Sequence, residues 1–229
     1  MLLWHFLAFV LIVAGPILDL LTTPGLKRSK NPHKRLYWYS VTLVASCVLG
    51  VLSWLAIGPE ILKSPFGVPG TPGTIVAYAV SAALLVFCVT PIFMMHRRPE
   101  LKKAIAKALV SMEFVVPHNN LERAFFGAVS VSAGVNEELL FRGFLPRYFL
   151  ASPLHLNIWL GAVLSCVFFG FNHLYQGKRG VPTTAAIGAM FMVMVGGFGW
   201  LIPAMILHAV VDLRMVFFPF PEAPSPQAT

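Results

Sequence analysis

Three short stretches of an otherwise apolar chain carry side chains suited to proton chemistry. They are Asn136-Glu137-Glu138-Leu139-Leu140-Phe141-Arg142, Phe169-Gly170-Phe171-Asn172-His173 and His208-Ala209-Val210-Val211-Asp212. Glu138 and Arg142 are four residues apart with the acid first, the better orientation for an ion pair on one helical face. As a pair they could simply be structural, sitting together at a wet helix end. Glu137 points about 100° away from that face and has no partner within its own helix. It must find one on another helix or hold a proton. His208 and Asp212 lie one turn apart in the middle of an apolar run, which packing alone does not explain. His173 ends its apolar run, where a lone histidine is more often an interfacial residue. Brought together, the three stretches supply a base, an acid and polar groups able to stabilise an oxyanion. That set suits hydrolysis of a peptide bond by an activated water shielded from bulk solvent.

The elements that must position these groups are membrane helices. Of 229 residues, 57% are hydrophobic and 11% charged, and the mean hydropathy is +0.76. A soluble domain carries about 25% charged residues, so this chain cannot cover a water-facing surface. Cys47, Cys88 and Cys166 lie in apolar runs without metal-ligand spacing, which excludes a disulfide-stapled secreted module. Helical spans of about 20 residues are expected near Leu2–Leu21, Leu36–Ile57, Thr74–Met95, Ala124–Phe141, Asn157–Phe171, Thr183–Val195 and Trp200–Phe218, with a short helix near Gly143–Leu150. The fold class expected is therefore all-α, a polytopic bundle of seven or eight membrane helices. The first span lacks a basic leader and a small-residue cleavage site, so it reads as retained. Asp19, near its end, is placed at the interface.

The net charge of +8 is gathered into blocks. Lys27, Arg28, Lys30, Lys34 and Arg35 fill the first loop, and Arg97, Arg98, Lys102, Lys103 and Lys107 fill the third. The second loop, Gly58 to Gly73, has only Lys63 against Glu60. The positive-inside rule puts loops one and three in the cytoplasm. No basic face interleaved with aromatics exists, so nucleic acid is not expected as a partner. Between Pro99 and Val116, Ile105, Leu109 and Met112 recur opposite Lys103 and Lys107, the pattern of a helix lying in the interface. The Pro-rich stretch from Pro219 to Thr229 reads as a disordered tail.

Other intramembrane protease chemistries leave no trace. There is no His-Glu-x-x-His for a zinc enzyme, no Gly-x-Gly-Asp around Asp19 or Asp212, and no Gly-x-Ser-Gly. What the residues do resemble is the CPBP family, the type II CAAX prenyl endopeptidases. Its motifs Glu-Glu-x-x-x-Arg, Phe-x-x-x-His and His-x-x-x-Asn/Asp are met in order by Glu137, Glu138 and Arg142, by Phe169 and His173, and by His208 and Asp212. The resemblance covers roughly Glu122 to Phe218.

That resemblance implies that Glu137 and His173 activate the attacking water. It implies that His208 and Asp212 stabilise the tetrahedral oxyanion, and that Glu138, Arg142 and Phe169 support the site. Family membership leaves metal dependence open, because Glu137, His173 and His208 could also ligate zinc. No tightly bound cofactor is expected. Asp212 stands where the prenyl-processing members have Asn, which weakens the case for a prenylated substrate. Asp212 is expected to act by accepting from His208 and orienting its ring.

The expected organisation is three N-terminal spans and an interfacial helix over residues 1–120, a catalytic membrane core over 121–218, and the tail 219–229. The expected function is intramembrane endopeptidase action on a membrane-anchored protein or peptide, in a bacterial inner membrane, with the lipid bilayer as a further partner. CAAX-type processing and a non-enzymatic immunity or scaffold role are the alternatives. One expectation is internally strained. On straight helices Glu137 falls about 20 Å from the cytoplasmic start of its span, while His173 falls at the cytoplasmic end of its own. A break or tilt near Gly143 and Pro146, or a misplaced boundary, would reconcile them.

Overall fold

The structure, a computed structural model, describes residues 1–67, 69–95, 97–109, 112–151 and 155–218. The expected disordered tail, 219–229, lies outside the described residues. Helices follow one another as α1 (Leu2–Phe9), α2 (Gly15–Arg28), α3 (Lys34–Ile57), α4 (Thr71–Met95), α5 (Pro99–Leu109), α6 (Asn120–Glu138), α7 (Leu145–Ala151), α8 (Ile158–Phe171), α9 (Gly180–Phe198) and α10 (Ile202–Leu213). No strand occurs among the described residues, and a single antiparallel bridge joins Lys63 to Trp200. The protein is an all-α membrane bundle.

Among the described residues, four helical rods are long and apolar enough to cross a bilayer: Leu2–Arg28, Lys34–Ile57, Thr71–Met95 and Gly180–Phe198. Helices α6, α8 and α10 carry the reactive residues and are shorter or more polar. With α7, these make up the segments read from the sequence. Pro99–Leu109 forms the expected amphipathic helix α5, with Lys102, Lys103 and Lys107 exposed and Leu109 buried.

Two π-helical turns interrupt otherwise regular rods. Val10–Ala14 joins α1 to α2, and Leu139–Phe144 joins α6 to α7. The second disposes of the expected break at Gly143 and Pro146: the helix continues there, widened by one residue per turn. Ser165 of α8 donates to the Phe141 carbonyl inside that wide turn. Pi-turns recur at functional sites because they re-aim side chains without ending the helix.

The depth conflict is resolved elsewhere. Glu137 lies 14 positions before the end of α7, and α8, only 14 residues long, runs back alongside α7. Both paths cover about 20 Å at 1.5 Å per residue. His173 therefore returns to the depth of Glu137, because α8 ends partway through the bundle instead of crossing it.

One end of the bundle is closed by backbone pairing. Ser64 N–H donates to the Gly199 carbonyl at 2.8 Å and Leu201 N–H to the Leu62 carbonyl at 2.9 Å. Arg147 ties the same loop through the carbonyls of Glu60 and Lys63. The opposite end carries the basic loops. There Arg35 bridges Glu122 at 2.8 Å and Glu113 at 2.9 Å, and Tyr39 donates to the Val115 carbonyl at 2.5 Å. Burial and the neighbouring Arg35 hold the His118 imidazole below its ordinary pKa, so it sits neutral beside Glu113 at pH 7.

Helix α6 packs most extensively on α10 and α3, and this places the acids of α6 against the histidine of α10. The crossing with α10 is made at Gly134. A Cβ there would lie 2.7 Å from the Ala209 nitrogen and 2.8 Å from the Met205 carbonyl oxygen. Close backbone approach over a small residue is how membrane helices gain packing without a hydrophobic driving force.

Gly134→Ala should accordingly lower stability, by about 1–3 kcal/mol as for other overpacked sites. Gly127→Ala on the same helix should be neutral, since its nearest new contact is Leu213 Cδ2 at 3.7 Å. Thermal unfolding of the purified protein measures both. Equal midpoints for the two variants would show that the crossing has slack.

Candidate active site

The innermost layer of the site is a buried charge network. Glu138 and Arg142 are both fully buried and meet at 3.0 Å. Neither charge can be left alone in so dry a place, where an uncompensated ion costs several kcal/mol. Arg142 completes its surroundings with the Gly188 carbonyl at 3.1 Å and the faces of Phe169 and Phe191, whose centroids lie 4.2 and 5.5 Å from its guanidinium carbon. Gly188 is required for this fit: a Cβ would come within 2.9 Å of Arg142 Nη2 and 2.8 Å of Phe169.

Glu138 has a second partner that the sequence did not reveal. His208 reaches across from α10 and places Nδ1 2.8 Å from Glu138 Oε1. A carboxylate can only accept, so Nδ1 carries the proton. The ring stacks on Phe191 at 4.8 Å between centroids and 19° between planes. With Nδ1 committed, Nε2 faces the cavity. Glu137 Oε2 is 3.7 Å away and Asp212 Oδ2 also 3.7 Å. The expectation that Asp212 holds the His208 ring is corrected here. Asp212 lies beyond hydrogen-bond distance, and the short contact belongs to Glu138, because α6 and α10 cross too closely for any other acceptor to reach Nδ1.

His173 is oriented by the end of α8. Its Nδ1 lies 2.8 Å from the Phe169 carbonyl oxygen, one of the last carbonyls of the helix, which lack partners within it. Again the acceptor fixes the proton on Nδ1, leaving the Nε2 lone pair directed 3.8 Å from Glu137 Oε2. The Phe169 ring packs against both His173, at 4.7 Å, and His208, at 5.9 Å. All seven residues singled out in the sequence thus fall in one cluster. Phe191, Gly134 and Gly188 escaped sequence reasoning. Only the small residue three positions before Glu137 offered a signal, and it is a weak one.

Glu137 is the acid that faces the cavity. Its Oε2 is buried and has no hydrogen-bond partner, although two imidazole nitrogens lie just beyond reach. It lines a cavity of about 620 Å³ that runs down α6 past Ala133 and Phe126 to Met112 and the α5 residues Ile105 and Leu109. The cavity therefore leads to the end with the basic loops.

When both rings are neutral, their two Nε2 atoms and the Glu137 carboxylate are a donor set that suits zinc in kind. Each histidine also has its other nitrogen held by an acceptor, as in metal sites. The separations are wider than the edge of about 3.3–3.4 Å in a tetrahedral zinc shell. No group of three or more His, Cys, Asp or Glu is gathered at metal-holding distance among the described residues.

The pair predicts a specific mutational pattern. Arg142→Leu should lower the amount of folded protein, since breaking a buried pair by removing one partner costs about 3–5 kcal/mol. Glu138→Gln combined with Arg142→Leu should recover part of it. Equal abundance of all variants in membranes would show that the pair carries no structural load.

Comparison with known proteins now bears on this geometry. Residues 119–214 match the family model described as type II CAAX prenyl endopeptidase Rce1-like. No curated protein and no solved structure matches the chain. The matched stretch begins at the Asn119 cap of α6 and ends just after α10, so it holds every residue of the cluster. The membrane core of this protein, from Asn119 to Arg214, is thus similar to the type II CAAX prenyl endopeptidases, a family of proteases, over less than half of the chain.

Proposed function

We propose that the protein is an intramembrane endopeptidase that cuts a membrane-anchored protein with a water held between Glu137 and His173. The observation that carries this reading is the buried, unpartnered Glu137 Oε2 with an imidazole Nε2 3.8 Å away on one side and another 3.7 Å away on the other. A buried polar cleft of this kind takes a water that bonds to two or more of its walls.

The steps follow from the tautomers. The His173 lone pair and Glu137 accept the two hydrogens of the water and turn its oxygen lone pair towards the scissile carbonyl. As the C–O bond forms, Glu137 takes one proton. Negative charge moves to the former carbonyl oxygen. His208, doubly protonated, gives Nδ1–H to Glu138 and Nε2–H to that oxyanion. Glu137 then passes its proton to the amide nitrogen, the C–N bond breaks, the new carboxyl group gives its remaining proton to His173, and a carboxylate and an amine leave. A divalent metal, if bound, would be held by Glu137, His173 and His208 and would supply Lewis-acid activation of the water.

By the positive-inside rule, the cavity opens to the cytoplasmic face of a bacterial inner membrane. A prenylated C-terminus is the second reading, favoured by the description of the matched family.

Glu137→Gln and His173→Ala should each lower cleavage at least about 100-fold with normal accumulation, and combining them should cost little more. Wild-type turnover by Glu137→Gln would remove the base from this reading. The absence of any substrate terminus that depends on Glu137, in a comparison of membrane-protein termini, would favour a non-enzymatic role.

Because Glu138 rather than Asp212 holds His208, Asp212→Asn should retain more activity than Glu138→Gln. The reverse order would return the orienting role to Asp212. Cleavage should survive exhaustive chelation. Loss of activity that zinc restores would make Glu137, His173 and His208 ligands.

A further inference from the structure

We propose that the N-terminal helical rod, which lies outside the family match, is a working part of the site because it sets the position of His173. This rests on the protease reading only for the consequence in turnover; the contact itself is geometric.

The clamp begins with Gly15-Pro16 in the middle of the rod. The Gly15 N–H bonds back to the Val10 carbonyl across the π-turn, and Pro16 has no N–H to give. The Leu11 carbonyl is thereby left without a donor from its own helix, inside the membrane, where an unmet carbonyl costs several kcal/mol. Asn172 meets it. Its Nδ2 donates to the Leu11 carbonyl at 2.7 Å and to the Phe168 carbonyl of α8 at 2.8 Å. Both amide hydrogens are used, and the two rods are tied at one residue.

Asn172 adjoins His173, whose Nδ1 takes the next carbonyl, that of Phe169. Gly15 makes room for the amide: a Cβ there would collide with Asn172 Oδ1. A second tie lies three residues on. Tyr175 N–H donates to Asp19 Oδ2 at 2.5 Å, and Thr23 donates to the other oxygen at 2.7 Å. Asp19 thus turns into the bundle, where its placement at the interface was expected. The segment from Asn172 to Tyr175 is fastened at both ends to one rod, with His173 between the ties.

Asn172 and Asp19 are positioning residues. They touch neither water nor substrate, but they fix where the Nε2 lone pair points. A displacement of about 1 Å at such a group can cost about 100-fold in rate. Simple docking of the rod is a separate matter, served by contacts such as Trp4 Nε1 to the Ala56 carbonyl at 3.1 Å.

The test uses the full chain in nanodiscs, with ¹⁵N-histidine NMR of the His173 ring and kinetics on a membrane-anchored reporter peptide. Asn172→Ala and Asp19→Asn should lose the single Nδ1–H tautomer of His173. Their kcat should fall about 10- to 100-fold with KM within about twofold. Gly15→Ala should act in the same direction, and adding it to Asn172→Ala should cost nothing more. Trp4→Phe should lower thermal stability while leaving the ring signal and kcat unchanged.

If Asn172→Ala behaves like Trp4→Phe, the rod is merely packing and the proposal falls. The ring measurement needs no substrate, so it separates the two readings. An altered ring in a chain that cleaves nothing would keep the clamp and remove the protease. Full turnover with an unaltered ring would do the opposite.

Discussion

Glu138 accepts from two helices at once, and the rest of the site is arranged around that carboxylate. It is fully buried, it neutralises Arg142 one turn away, and it takes the Nδ1 proton of His208 from α10. Removing a carboxylate and a guanidinium from water costs several kcal/mol for each ion, which their attraction only partly returns. The fold therefore has to supply further partners: the Gly188 carbonyl, two aromatic faces and an imidazole. They come from three helices, α8, α9 and α10, so satisfying one buried charge pair locks these and α6 into a single geometry. The same lock fixes the tautomer of His208. Stability and chemistry are set by one contact.

A division of labour between the two adjacent glutamates follows from helical geometry. They are separated by about 100° around α6, so one faces the dry interior and the other faces the cavity. Glu138 is wholly enclosed, and Glu137 keeps 22% of its side chain exposed. Glu138 spends Oε1 on both Arg142 and His208, partners that would be orphaned if that oxygen took a proton. Glu137 instead lines the cavity. Two identical neighbouring residues thus meet two different environments.

Much of this was legible in the sequence because ionisable residues are conspicuous in hydrocarbon. The ionisable residues inside or at the ends of apolar runs pointed to six of the seven clustered residues, the family resemblance added Phe169, and low charge with long apolar stretches gave the bundle. Three things were not legible, each for a physical reason. The depth of His173 depends on α8 ending early, and a 14-residue apolar run looks much like a slightly short span. The partner of His208 depends on which faces meet across α6 and α10, and a helical wheel reports only neighbours along one helix. Asp212, one turn away on the same helix, was therefore the visible partner, whereas Glu138 was the actual one. The π-turn at Leu139–Phe144 leaves no signature stronger than Gly143 and Pro146, which read equally well as a break.

The shape of the cavity constrains what can be cut. The bundle end near Ser64 and Leu201 is sealed by paired backbone, so water and substrate reach Glu137 from the basic end or between helices. Phe126, near the mouth, is 11 positions before Glu137 on α6, a depth of about 16 Å. An extended chain advances about 3.3 Å per residue, so some five residues of unfolded polypeptide bring a peptide bond to the acid. A folded helix is about 10–12 Å wide and hides its carbonyls in its own hydrogen bonds. On the proposed reading, the substrate is a short extended segment beside a membrane anchor. Polar side chains that line the cavity, Gln176, Thr183 and Thr184, give the backbone of such a segment groups to bond while it enters. The apolar walls beyond them offer nothing to a polar backbone until it reaches the histidines, so the first unmet carbonyl is presented where it can be attacked.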